Sequence, residues 1–200
     1  MSHLTLLAEP WWVNLFIFVP FTALFLWRKY RLSVAASTLL ACAFFGAAFG
    51  FVEAAVVVYL RAAVGLLPGY GGTRADVVRL SSELYQKALI HGDLPESLWT
   101  VEIFREAATM VMLLSIAVLG ARRLSGRAAV FLWTFAIWDI CYYLGLYLTI
   151  GWPSSWLSPD VLFLIPVPWL AQVWFPILVS VLTLAAVLLA RNPIGRARAE

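Results

Sequence analysis

Five stretches of this 200-residue chain are long and apolar enough to cross a bilayer, which constrains the fold more than any motif does. A hydrocarbon core about 30 Å thick is crossed by roughly 20 apolar helical residues. Windows of about that length place spans near residues 11–27, 36–60, 98–119, 128–150 and 169–190. Lipid offers the backbone no hydrogen-bond partner, and these runs lack the alternation of barrel strands, so each span is predicted to be a helix. Composition agrees: 12% of residues are charged, where a soluble domain carries about 25%. The expected fold class is an all-α integral membrane protein, a five-transmembrane-helix bundle forming a single membrane domain over residues 1–200.

Basic residues set its orientation. Arg28, Lys29 and Arg31 follow the first span, Arg122, Arg123 and Arg127 the third, and Arg191, Arg196 and Arg198 the fifth. On the other side Arg61, Arg74, Arg79 and Lys87 are spread over a long loop, which weighs less in the positive-inside rule. The N-terminus is thus expected outside and the C-terminus in the cytoplasm of a bacterial-type inner membrane. The net charge of +3 is read as a topology signal and not as a nucleic-acid-binding surface. The first apolar run lacks a basic leader and a small-residue cleavage site, and reads as a retained helix. Cys42 and Cys141 fall at depths differing by roughly 10 Å, too far apart for a disulfide.

The outer loop, residues 61–97, contains "TRADVVRLSSELYQKALI", with Thr73 three residues before Asp76 and Val77, Leu80, Leu84 and Ala88 at helical spacing. An amphipathic interfacial helix is expected there, with "LLPGYGGT" and "HGDLP" as hinges if it acts as a lid. The segment 151–176 is rich in proline. Residues 160–167 are expected to form a broken or re-entrant approach, Pro168 to sit near the first turn of the fifth span, and Pro176 to kink it.

The acids point to a site. A carboxylate within a span costs about 2.5–3.5 kcal/mol on insertion scales, so such residues are rare without a role. Glu53 lies eight residues from Arg61 and Glu106 eight from Leu98, each roughly 12 Å deep. Asp139 sits eleven residues from either end of its span, roughly 16 Å down. Glu102 is one turn shallower than Glu106 on the same face, and Arg105 is the basic side chain at that level. Gly46 and Gly50 form a GxxxG pair whose face continues to Glu53, turning this acid into the bundle. Tyr142 and Tyr143 follow Asp139 at helical spacing and are expected to donate toward it or toward a shared ligand. Asp160 is expected at the rim of the same outer cavity, and Gln172 inside it.

Four ionised carboxylates and one guanidinium do not persist uncompensated in a low dielectric, so protons or a bound cation must balance them. Glu53, Glu106 and Asp139 are the candidate catalytic acids, and they are also the candidate ligands of a divalent hard cation such as Mg²⁺, Ca²⁺ or Mn²⁺. Glu102, Arg105, Tyr142, Tyr143, Asp160 and Gln172 are the candidate substrate- or ion-binding residues. Histidine occurs only at positions 3 and 91, which leaves no Ser-His-Asp or Cys-His arrangement.

Three functions fit: a transport component handling a small or amphiphilic substrate, an enzyme using paired carboxylates on a lipid-linked substrate, or a structural subunit of a membrane complex. The partner expected in every case is the lipid bilayer, with a homodimer or complex partner completing the assembly. The orientation is testable by cysteine labelling in intact cells: Gly71→Cys reacts with an impermeant maleimide, whereas Ser125→Cys reacts only after the membrane is opened. External labelling at 125 would invert the topology.

Overall fold

The computed structural model describes residues 7–30, 32–63 and 96–191. A 3-10 helix, Trp11–Phe18, runs directly into α1, Val19–Tyr30. The change in winding falls beside Pro20, which has no N–H to give the preceding turn. Three long helices follow: α2, Ala36–Ala63; α3, Glu96–Gly120; and α4, Leu124–Ile150. After α4 come strand β1, Pro159–Phe163, strand β2, Trp169–Gln172, and helix α5, Trp174–Ala190.

By length and composition, four helical stretches among the described residues are able to cross a membrane: Trp11–Lys29, Ala36–Tyr59, Trp99–Gly120 and Leu124–Ile150. Trp174–Ala190 is a shorter apolar helix. Their outward faces carry large apolar side chains on every helix: Phe25, Phe44, Phe104, Leu148 and Leu189 are each more than 60% exposed. A water-facing surface would not carry so continuous an apolar cover, and a lipid-facing one does. The architecture is mostly helical and fits a membrane-embedded protein.

The all-α expectation needs one correction. Residues 159–172 form an antiparallel hairpin, with Asp160 opposite Ala171, Val161 opposite Leu170 and Phe163 opposite Trp169. Consequently the last helix begins at Trp174 and not near residue 169. Pro166 and Pro168 cannot donate to a helix, but they fall in the turn of a hairpin, and Pro159 occupies the first position of a strand, where a missing N–H is tolerated. Pro176 lies in the first turn of α5, where its N–H would have no helical acceptor, so the expected kink there is replaced by a helix start. The N-terminal segment completes the sheet: Glu9 and Leu170 exchange backbone hydrogen bonds of 2.8 and 2.7 Å.

Helices α2 and α4 form the closest seam. A Cβ on Gly46 would lie 2.8 Å from the Thr134 carbonyl oxygen, and one on Gly50 would overlap that of Trp138. The indole N–H of Trp133 on α4 donates to the Leu39 carbonyl on α2 at 2.9 Å. Near the chain's basic loops, Trp27, Leu39, Val130 and Val187 pack into one apolar cluster. At the opposite end Val57, Leu146, Trp152 and Val173 form a second, and Val13, Ala171 and Phe175 a third beneath the N-terminal segment. Arg127 donates to the Ala121 carbonyl at 3.0 Å, closing the end of α3, and Gly151 ends α4 with φ of 72°. Cys42 and Cys141 are free thiols. The expected amphipathic helix, His91 and the hinge sequences around them lie outside the described residues.

The glycine seam is testable. Gly50→Ala lowers stability by about 1–3 kcal/mol, the usual cost of overpacking. Gly120→Ala, whose added methyl would meet side-chain methyls of Val130 and Thr38 that are able to shift, costs less. Thermal unfolding in detergent, followed by circular dichroism, checks the order.

Candidate functional site

Between the apolar cluster near the basic loops and the hairpin lies a cavity of about 610 Å³. Its wall is shared by the 3-10 segment and α1 (Val13, Phe16, Val19), α2 (Glu53, Val57), α3 (Glu102 to Met110), α4 (Phe131 to Tyr143), the hairpin (Asp160 to Trp169) and α5 (Phe175 to Thr183). Such a volume, mostly apolar with a few convergent polar groups, falls in the range of about 300–1,000 Å³ typical of small-molecule sites. Eight of the nine candidate site residues line it: Glu53, Glu102, Arg105, Glu106, Asp139, Tyr142, Tyr143 and Asp160. All five acids are buried, none more than 8% exposed.

The ninth, Gln172, is a correction. It is buried on β2 but does not line the cavity, and its carbonyl accepts the Trp174 indole N–H at 2.9 Å. Strand alternation explains the difference: Trp169 lines the cavity, and Gln172, three residues on, falls on the other face of β2 and is bound at the start of α5.

Arg105 organises the α2–α3 side. Its Nε and Nη2 donate to Glu102 Oε2 at 2.9 and 2.7 Å, within one helix. Its Nη1 forms an ion pair with Glu53 Oε1 on α2. The other oxygen of Glu53 accepts the Thr109 hydroxyl at 3.3 Å. One guanidinium thus bridges two carboxylates on two helices.

Glu106 turns toward the hairpin, where the Leu164 backbone N–H donates to its Oε2 at 2.8 Å. This bond joins α3 to the roof of the cavity. Asp139 accepts the Ser180 hydroxyl at 2.8 Å, joining α4 to α5. Of the two tyrosines expected to donate toward Asp139 or toward a shared ligand, Tyr143 donates instead to Asp160 on β1 at 2.7 Å, because the hairpin brings Asp160 into the cavity and not to its rim. Tyr142 stacks on Trp138, with ring centroids 6.2 Å apart.

Among the described residues no group of three His, Cys, Asp or Glu side chains is placed to hold a metal ion. The expected hard-cation set of Glu53, Glu106 and Asp139 is therefore not assembled; each acid has its own separate partner, on α3, the hairpin and α5.

The rest of the wall is aromatic. Phe16, Trp169, Phe163, Phe135, Trp138, Tyr142 and Tyr143 follow one another with successive ring centroids 5.1 to 6.3 Å apart. The indole N–H groups of Trp138 and Trp169 have no acceptor among the described residues.

Sequence reasoning did not single out Thr109, Ser180 or the Leu164 amide. Thr109 lies one turn from Arg105 on the face already marked by Glu102, and Ser180 interrupts an apolar run, so both carried a signal. A backbone amide carries none. No protein-family model, curated protein or solved structure matches the chain.

The bridge has a measurable consequence. Arg105→Met leaves two buried carboxylates without their cation and destabilises the fold by about 3–5 kcal/mol. Adding Glu53→Gln and Glu102→Gln to that variant recovers most of the loss. Unfolding midpoints of the single and triple variants in detergent check both statements.

Proposed function

We propose that the chain is a multi-pass protein of a bacterial-type cytoplasmic membrane, with five spans, an outer N-terminus and a cytoplasmic C-terminus. Helix α5, at 17 residues, meets the lower end of the range that spans a bilayer, and the hairpin before it fills the outer depth that α5 does not reach. With this orientation the acid-lined cavity occupies the outer half of the membrane. Its role is that of a transport component: it binds a small or amphiphilic substrate, and protons on its carboxylates exchange as substrate binds and leaves.

One observation carries this reading. Five buried acids share a single cavity with one arginine, and that arginine already serves two of them. Glu106 and Asp139 are held by uncharged donors, an amide and a hydroxyl, so either is able to take up or release a proton without breaking an ion pair. Acids partnered one by one suit proton exchange better than a fixed cage for a hard cation.

A second reading, an enzyme acting on a lipid-linked substrate, draws on the Asp139 and Asp160 carboxylates, which both line the cavity, with Tyr143 bonded to Asp160. It would use the pair as general acid and base.

Proteoliposomes with an enclosed pH-sensitive dye separate these readings. Addition of tetraphenylphosphonium, a small lipophilic cation, is expected to drive a pH change that Glu106→Gln and Asp139→Asn each reduce at least five-fold. A flux unchanged in both variants would count against the transport reading.

A further inference from the structure

We infer that the cavity takes an amine-headed amphiphile that enters sideways from the bilayer between α1 and α3. The inference rests on the binding role proposed above and names its substrate class.

The route comes from packing. Helix α1 packs against α5, and α3 against α4 and, more lightly, α2, while α1 and α3 have at most marginal contact with each other. Both nevertheless contribute to the cavity wall, through Val19 on one side and Ala107 and Met110 on the other. The hairpin bridges this gap from above, bonded to α3 through Leu164 and to the N-terminal segment through Leu170. Nearer the basic loops both helices belong to one apolar cluster, through Trp27 and Ala117, so the route lies between that cluster and the roof. What lies beside it in a membrane is lipid, so the route favours a molecule already dissolved in the bilayer.

The head chemistry comes from two independent features. Glu106 and Asp139 have no ion-pair partner among the described residues, and an ammonium group would supply one to either. The wall around them is formed by the faces and edges of Phe135, Trp138, Tyr142 and Phe163, and aromatic faces attract ammonium groups when water is excluded. An anionic head would meet carboxylates there. Trp138 adds a detail: it is 6% exposed, lines the cavity, and its indole N–H lacks an acceptor among the described residues. A hydroxyl beside the amine would supply one. The apolar tail then runs along Val19, Phe131 and Val179.

Photolabelling of the full chain in nanodiscs tests this. The probe is a diazirine-bearing long-chain amino alcohol, and the control is the matched alcohol without the amine. The amino alcohol is expected to label peptides containing Phe16–Val19 and Ala107–Met110 at least ten-fold more than the control does. Filling the gap with Val19→Trp and Ala107→Trp is expected to cut that labelling ten-fold, and Glu106→Gln with Asp139→Asn to bring the two probes within about two-fold of each other. If the double carboxylate variant does not purify as a single species, Asp139→Asn alone carries the comparison.

Equal labelling by both probes in the unaltered chain overturns the amine assignment and leaves the binding role standing. Absence of cavity labelling, in protein that still couples tetraphenylphosphonium to protons, overturns the sideways route while the transport reading survives. Undiminished labelling in the filled-gap variant overturns the route as well.

Discussion

Inside hydrocarbon a polar group finds a partner in the protein or none at all, and the upper half of this fold is arranged around that constraint. Glu53 and Glu102 meet it by sharing Arg105. Glu106 meets it with a backbone amide from a distant hairpin, Asp139 with a serine, and Asp160 with a tyrosine. Each solution also joins two elements, so the bonds that make the acids tolerable hold the upper bundle together. Lower down, where the residues are apolar, packing at Gly46 and Gly50 does the same work without hydrogen bonds.

The hairpin follows from the same constraint. An irregular segment would leave its amides unpaired, whereas β1 and β2 pair with each other and Glu9 takes up part of the remaining edge. The roof is thereby anchored at both margins, on α3 and on the N-terminal segment. The cavity covered in this way is lined by aromatic rings from α4 and the hairpin.

Much of this was legible in the sequence. Run length and low charge yield the apolar helices, because the bilayer imposes one length on all of them. Counting 1.5 Å per residue put Glu53 beside the turn of α3 that holds Arg105, and the ion pair between them lies at that level. The hairpin was legible only as a failure of helix: five prolines between 153 and 176 excluded a continuous one without saying what replaced it. Strand pairing between residues 160 and 171 depends on register, and Val, Leu and Phe in that stretch suit a strand and a buried helix alike. The partners of Gln172 and Tyr143 are set by the hairpin and not by helical spacing, and β1 carries Asp160 into the cavity, whereas the sequence reads it at the rim.

The long reach of the Glu106 bond bears on how the chain is made. Leu164 follows Glu106 by 58 residues, so at about 5–20 residues per second its amide leaves the ribosome about 3–12 s later. Through that interval the acid lacks this donor, although α4 is made within it. Arg105 and both of its carboxylate partners, by contrast, are complete once α3 has emerged. The partners of the two halves of the acid cluster are therefore made in order: those of the bridged pair once α3 is complete, and that of the roofed acid only when Leu164 has emerged. A nascent chain stalled before residue 164 would hold Glu106 in the membrane with Arg105 as its nearest support.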